Sequence, residues 1–258
     1  MLFLCISHSL AQEPVYFSAS SFEQGSDFAP DESPKHQVHL DAFSLDATEI
    51  SIREFEEFVQ EGWRNDANWS PEGLRWKEKN PQGAGAKHRA AGRTSNHPVV
   101  AVTWYEADAY CRWKGGSLPT EAQWEYAACR SQKPGRFAWG DDEMMEAPWY
   151  SAGKYGHLQG VLTEEVNDAP PEQRSKDGLY HTTGNVWEWT ADWYHANSYQ
   201  RTETHNPTGM KSGTWKTLRG GSFMNLPSYC TCTHREPARP DRVAYTTGFR
   251  CAYPGATK

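Results

Sequence analysis

The sequence predicts an α+β fold of short strands and short helices on an irregular body, and three observations point there. Glycine and proline are plentiful, 21 and 16 of 258 residues, which implies many turns and long irregular connections. Hydrophobic residues make up only 37%, yet aromatics reach 13% and tryptophans number 12, so the core must rest on a few large rings rather than many aliphatics. Helix-start signals of one chemistry recur three times between short apolar runs. The length suits one large domain or two small ones.

Residues 1–11 are similar to the back half of a secretory signal peptide, with an apolar core and the small residues Ser9 and Ala11 at a cleavage site. Export is the expectation, leaving residues 12–258 as the mature domain. No later stretch reaches the length of a transmembrane helix. Residues 15–22 alternate apolar and small side chains, and an acidic, turn-rich loop follows over 25–34. Val38, Leu40, Phe43 and Leu45 read as one or two strands. Ser51 and Glu54 form a capping box, each side chain satisfying the other's backbone amide. It opens a short helix that buries Ile52, Phe55, Phe58 and Val59 and stops near Gly62. Residues 63–97 show no period and read as a long polar insertion, a kind of loop that is usually functional or mobile.

Residues 97–103 read as a short buried strand ending in a second capping box, Thr103 to Glu106. The helix after it lines up Ala107, Tyr110, Cys111 and Lys114 and ends at Gly115-Gly116. A third box, Thr120 to Gln123, opens a helix bearing Trp124, Tyr126 and Ala127, whose Glu121 and Glu125 read as a solvated face. In the stretch from Gly184 to Tyr194, alternation puts Val186, Glu188 and Thr190 on one side of a strand and Trp187 and Trp189 on the other. Two readings of Glu188 stay open. A carboxylate beside backbone loosened by Gly184 suits a hard cation such as calcium; alternatively Glu188 pairs with an arginine in a buried aromatic strand. Leu218, residues 223–224 and residues 249–253 read as strand, and Gly220-Gly221 permit a bulge or a close backbone approach.

Charge and cysteine content bound the function. A net charge of −7 with no basic cluster excludes nucleic acid and anionic membrane as favoured partners. Without Cys5 the cysteines are Cys111, Cys129, Cys230, Cys232 and Cys251, most simply two disulfides and one free thiol in an oxidising compartment. Cys230 and Cys232 stand too close for zinc-ligand spacing. The ten histidines include no metal-spaced pair on a helix, so surface or capping roles are expected of them.

An ordered set of signatures resembles the formylglycine-generating enzyme (sulfatase-modifying factor) family across residues 15–252. These are Phe-Glu-Gln-Gly at 22–25, Asp-Glu-Ser-Pro-Lys-His at 31–36, Leu-Asp-Ala-Phe at 40–43 and His-Pro-Val-Val-Ala-Val-Thr-Trp at 97–104. Leu-Pro-Thr-Glu-Ala-Gln-Trp-Glu-Tyr at 118–126, Gly-Asn-Val-Trp-Glu-Trp at 184–189, Arg-Gly-Gly-Ser at 219–222 and Gly-Phe-Arg at 248–250 complete the set. The resemblance implies a single irregular α+β domain of the formylglycine-generating enzyme type, related to the C-type lectin fold, with low regular secondary structure and bound calcium. Active relatives oxidise a sulfatase cysteine to formylglycine, using oxygen and copper(I) held by two cysteines; soft thiolates select that ion.

Carried over residue by residue, the resemblance makes Cys230, in Ser228-Tyr229-Cys230, the second of those cysteines, while Asn225 stands where the first would be. Asparagine is a hard donor and cannot hold copper(I) as a thiolate does. Cys232 is placed to lend the missing sulfur, since residues two apart in a strand share a face. The implied disulfides compete for it: Cys111 with Cys251, and Cys129 (one residue off the family position) with Cys232. Ser222 joins Cys230 as a catalytic-cleft residue, and Trp187, Asn225 and Tyr229 line the cleft. A serine bonding backbone in a bulge and a core tryptophan are the plain alternatives for Ser222 and Trp187. Calcium would take the carbonyls of Gly184 and Val186 and the Glu188 carboxylate, with His181 where the family has an asparagine ligand; a second calcium site would fall within 151–178. Two functions follow: oxidation of a cysteine in a sulfatase-like protein or peptide, or a non-catalytic monomer that binds a protein or glycan in the same cleft.

Overall fold

The computed structural model describes residues 12–83, 94–130, 135–141, 163–200 and 203–255. The proposed signal segment, residues 1–11, lies outside them. Four short strands come first: β1 (Val15–Phe17), β2 (Ser20–Gln24), β3 (His36–Leu40) and β4 (Phe43–Leu45). β2 and β3 form an antiparallel ribbon in register from Ser20 opposite Leu40 to Gln24 opposite His36. β1 lies antiparallel to β4.

The helices begin where their caps are. In α1 (Ile52–Glu61) the Ser51 Oγ accepts from the Glu54 amide, and the Glu54 carboxylate accepts from the Ser51 amide at 2.9 Å. Such caps contribute about 1 kcal/mol each. Ile52, Phe55 and Phe58 are buried as expected, but Val59 turns off the buried stripe and is 36% exposed. A helix the sequence reading missed, α2 (Pro71–Lys79), lies inside the supposed loop. Ser70 caps the Gly73 amide and Pro71 takes the first turn, but Leu74 and Trp76 are only partly buried and leave a faint apolar period. Residues 84–93 of that stretch are outside the described residues. α3 (Trp104–Trp113) and α4 (Glu121–Glu125) both begin at complete capping boxes, and α4 passes into a π-helical turn, Tyr126–Arg130.

Residues 97–103 are buried but do not form a strand. The Val99 amide bonds to Ile50 O, the Ala101 amide bonds to Ala244 O, and a φ of 58° at Ala101 breaks the extended run. The rest of the chain supplies β5 (Trp187–Trp193), β6 (Lys216–Arg219), β7 (Glu236–Ala238), β8 (Thr247–Gly248) and β9 (Ala252–Pro254). They pair in the order β7–β6–β5–β8, with β8 parallel to β5, while β9 completes a three-stranded β1–β4–β9 sheet. Residues 223–224, read as strand, sit in a turn closed by the Asn225 amide on Ser222 O at 2.9 Å.

Aromatic rings fill the core. Phe55, Phe58, Tyr110, Trp187, Trp189 and Phe249 belong to one cluster; Phe17, Phe22, Phe43 and Tyr126 belong to another. Phe55 stacks on Tyr110 at 5.8 Å and Phe58 meets it edge-on at 5.7 Å. Such pairs add roughly 0.5–1.5 kcal/mol each beyond burial. Disulfides join Cys111 to Cys251 and Cys129 to Cys232, the pairs the resemblance implied, and Cys230 is free and buried. Among the described residues no helix is long and apolar enough to cross a membrane.

Candidate functional site

β5 is buried on both faces, so its polar face must be satisfied from within. Glu188 receives Arg250 Nη2 on one oxygen at 2.7 Å, and Arg250 Nε at 2.7 Å and Trp124 Nε1 at 2.8 Å on the other. The same guanidinium donates to the carbonyls of Asp46, Ala47 and Tyr180. Of the two readings left open by the sequence, the geometry gives the arginine-paired one.

These residues do not fit the calcium ion that the resemblance implies. Calcium requires six to eight oxygen donors, and the Glu188 carboxylate is already neutralised by a bidentate guanidinium. His181 stands where a further oxygen ligand would be. Burial lowers its pKa to about 4, its Nε2 faces Glu165 O at 3.0 Å, and it remains a neutral imidazole. A second buried carboxylate, Glu49, accepts from the Asn185 side-chain Nδ2 and is pushed well above the usual range by burial and by Glu188. Of the proposed second site, residues 151–162 lie outside the described residues.

Next to this pair, α4 supports the cysteine segment. Glu121 and Glu125 are buried, not solvated as the sequence suggested, because two arginines lie beneath them. Arg235 holds Glu121 with Nε at 2.6 Å and Nη2 at 2.9 Å, and Arg219 holds Glu125 at 2.7 Å. Burial pushes the Glu121 carboxyl up, but Arg235 and then Arg219 outweigh it and hold the group below its usual range. Arg219 also donates to Cys232 O at 2.6 Å and Thr233 O at 3.4 Å, so the ion network fixes the backbone just after Cys230. A sequence signal was available: Ala122 and Trp124 flank the two glutamates around the helix, which leaves Gln123 as its less buried polar side.

Ser222, Asn225 and Cys230 lie together in one loop. Asn225 Oδ1 accepts from Ser222 Oγ at 2.6 Å and from the Ser222 amide at 3.1 Å. Cys230 Sγ lies 4.0 Å from Ser222 O. Gly221, at φ 76°, permits this approach, since a Cβ there would run into the Cys230 sulfur and lie 2.9 Å from its Cα. Tyr229 and Trp187 flank His234, with ring centroids 5.1 and 5.7 Å away.

The sulfur chemistry is restricted. Cys230 packs with Phe137, Ala138 and Trp139, and burial pushes its thiol pKa up to about 12. Cys232 cannot lend a second thiolate, because it is bonded to Cys129 and sits in a separate cluster with Trp124 and Ala128. A two-thiolate copper(I) site does not fit these residues.

Comparison with known proteins identifies the family and the fold. The pattern of the "Sulfatase-modifying factor enzyme 1-like domain" matches residues 7–254. The chain is 35% identical over 263 residues to the formylglycine-generating enzyme of Streptomyces coelicolor, covering 87% of this chain and 82% of that protein. It is 35% identical over 266 residues to the Mus musculus enzyme of that name, covering 86% and 68%. It is also 33% identical over 247 residues to the serine/threonine-protein kinase pkn1 of Chlamydia caviae, covering 94% of this chain but only 38% of the kinase. PvdO of Pseudomonas aeruginosa shares the fold, with a TM-score of 0.71 at 24% identity over 93% of this chain and 94% of that one. The chain belongs to the sulfatase-modifying factor family, the family of the formylglycine-generating enzymes.

Proposed function

We propose that this chain is an exported, monomeric, non-catalytic member of its family that holds an extended peptide segment of a partner protein in the family cleft. The observation that carries this reading is Asn225: at the position of the missing thiolate, its side chain is spent on the Ser222 hydroxyl and amide. The turn it closes and the short segment after it present apolar side chains outward, with Met224 67%, Leu226 69% and Tyr229 43% exposed. Adjacent exposed apolar groups beside a fixed polar turn favour a peptide over a glycan. Two disulfides agree with an oxidising compartment.

A second reading, oxidation of a partner's cysteine, draws on the reduced Cys230 beside Ser222 and on the activity in the names of the Streptomyces and mouse relatives. Fluorescence anisotropy with labelled extended peptides, one containing Cys-X-Pro-X-Arg, tests the binding reading. Peptide is expected to bind with its cysteine unchanged. Leu226→Glu should weaken it by about tenfold or more, since burying a leucine contributes roughly 1.5–3 kcal/mol. Equal binding by Leu226→Glu and Met224→Glu would remove the rim from the reading.

A further inference from the structure

Far from the cleft in sequence, three side chains meet on the edge of the β2–β3 ribbon. Residues 204–206 run beside β3: the His39 amide donates to Thr204 O at 2.7 Å and the Asn206 amide donates to His39 O at 2.8 Å. This parallel bridge pairs His39 with His205, and their rings stack at 4.9 Å with planes 19° apart. Asp41 follows two residues after His39, and its Oδ1 lies 3.8 Å from His39 Nε2 and 3.3 Å from His205 Nε2. All three candidate donor atoms lie within 4.8 Å of one another.

We propose that His39, Asp41 and His205 form a site for a divalent first-row transition ion of the zinc type, which pins residues 204–206 to β3. The spacing fits: tetrahedral ligands at about 2.0–2.1 Å from an ion are roughly 3.3 Å apart. Two imidazoles and a carboxylate leave a fourth position for water, and side-chain exposures of 41%, 66% and 62% for His39, Asp41 and His205 keep it reachable.

Two of the three donors, on His39 and Asp41, are also oriented from behind, as metal ligands usually are. Ser21 Oγ holds His39 Nδ1 at 3.0 Å. Asn206, at φ 44°, donates Nδ2 to Asp41 Oδ2 at 2.7 Å and accepts the Asp41 amide on Oδ1 at 2.8 Å, which leaves Asp41 Oδ1 facing the imidazoles. His205 Nδ1 has a longer contact, 3.3 Å to Asn206 Nδ2. When Nε2 takes the ion, the His205 proton moves to Nδ1, and the ring is exposed enough for water to accept it. A merely hydrogen-bonded surface cluster would keep the same contacts with no affinity for an ion.

Titration of chelator-stripped full-length protein with zinc chloride, against a chromophoric competitor, tests the site. One equivalent should bind. His39→Gln and Asp41→Asn should each weaken uptake by more than about tenfold, because even loss of an outer partner costs roughly 10–100-fold. The double variant His39→Gln/His205→Gln should abolish it. Both histidines are on the surface, so unchanged metal-free melting of the variants will show that they fold. Cobalt(II) in place of zinc should give the visible bands of a tetrahedral complex in the wild type alone. Absence of stoichiometric uptake, or uptake equal in wild type and double variant, would overturn the site.

Discussion

Replacing Arg250 with methionine is expected to lower the unfolding free energy by about 3–5 kcal/mol, the cost of stranding one partner of a buried ion pair. Both side chains of the Glu188–Arg250 pair have 0% exposure, and the guanidinium also closes the carbonyls of Asp46, Ala47 and Tyr180. Its removal leaves a bare carboxylate with only Trp124 as donor, in the middle of the four-stranded sheet. Urea unfolding followed by circular dichroism will read the loss. Glu188→Leu combined with Arg250→Met should recover part of it, because no charge is then left unpaired. A loss under about 1 kcal/mol for Arg250→Met would mean that the carboxylate finds another counter-charge, and a cation in that place would again be admissible.

Nearly as large an effect is expected at the Cys129–Cys232 bridge. It closes a span of 103 residues, for which chain entropy gives about 4.7 kcal/mol, and measured losses of native bridges are about 2–5 kcal/mol. Cys129→Ala/Cys232→Ala is the suitable variant, since it removes the bridge without adding a thiol. Thermal and urea melts should show the loss, and the wild type should fall further under reductant, because the Cys111–Cys251 bridge opens as well. A double variant as stable as the wild type would show that the Arg219 contacts to Cys232 O and Thr233 O hold the segment alone.

What could be read from the sequence was what depends on neighbours along the chain. The boxes at Ser51, Thr103 and Thr120 start helices because cap and partner are three residues apart and need nothing distant. Burial of Trp187 and Trp189 followed from alternation, and the meeting of Ser222, Asn225 and Cys230 from motif offsets within one loop. Which charges pair was not legible in this way, although an arginine partner for Glu188 was one of the two readings. Arg250 meets Glu188 across 62 residues, Arg219 meets Glu125 across 94 and Arg235 meets Glu121 across 114. Nothing local marks Glu121 as buried rather than solvated except the apolar residues around it. His39 and His205 escaped for the same reason, since a bridge between two extended segments, not a helical spacing, pairs them. α2 was hidden because its one apolar stripe is short and half-exposed.

Anaerobic titration with copper(I), then exposure to oxygen with a Cys-X-Pro-X-Arg peptide and mass spectrometry of that peptide, puts the question of lost chemistry most directly. With one deeply packed thiol and an asparagine in the other's place, no stoichiometric copper should be retained, and the peptide should come back with its cysteine intact. One tightly held equivalent of copper together with conversion to formylglycine would contradict this and return the protein to the oxidases.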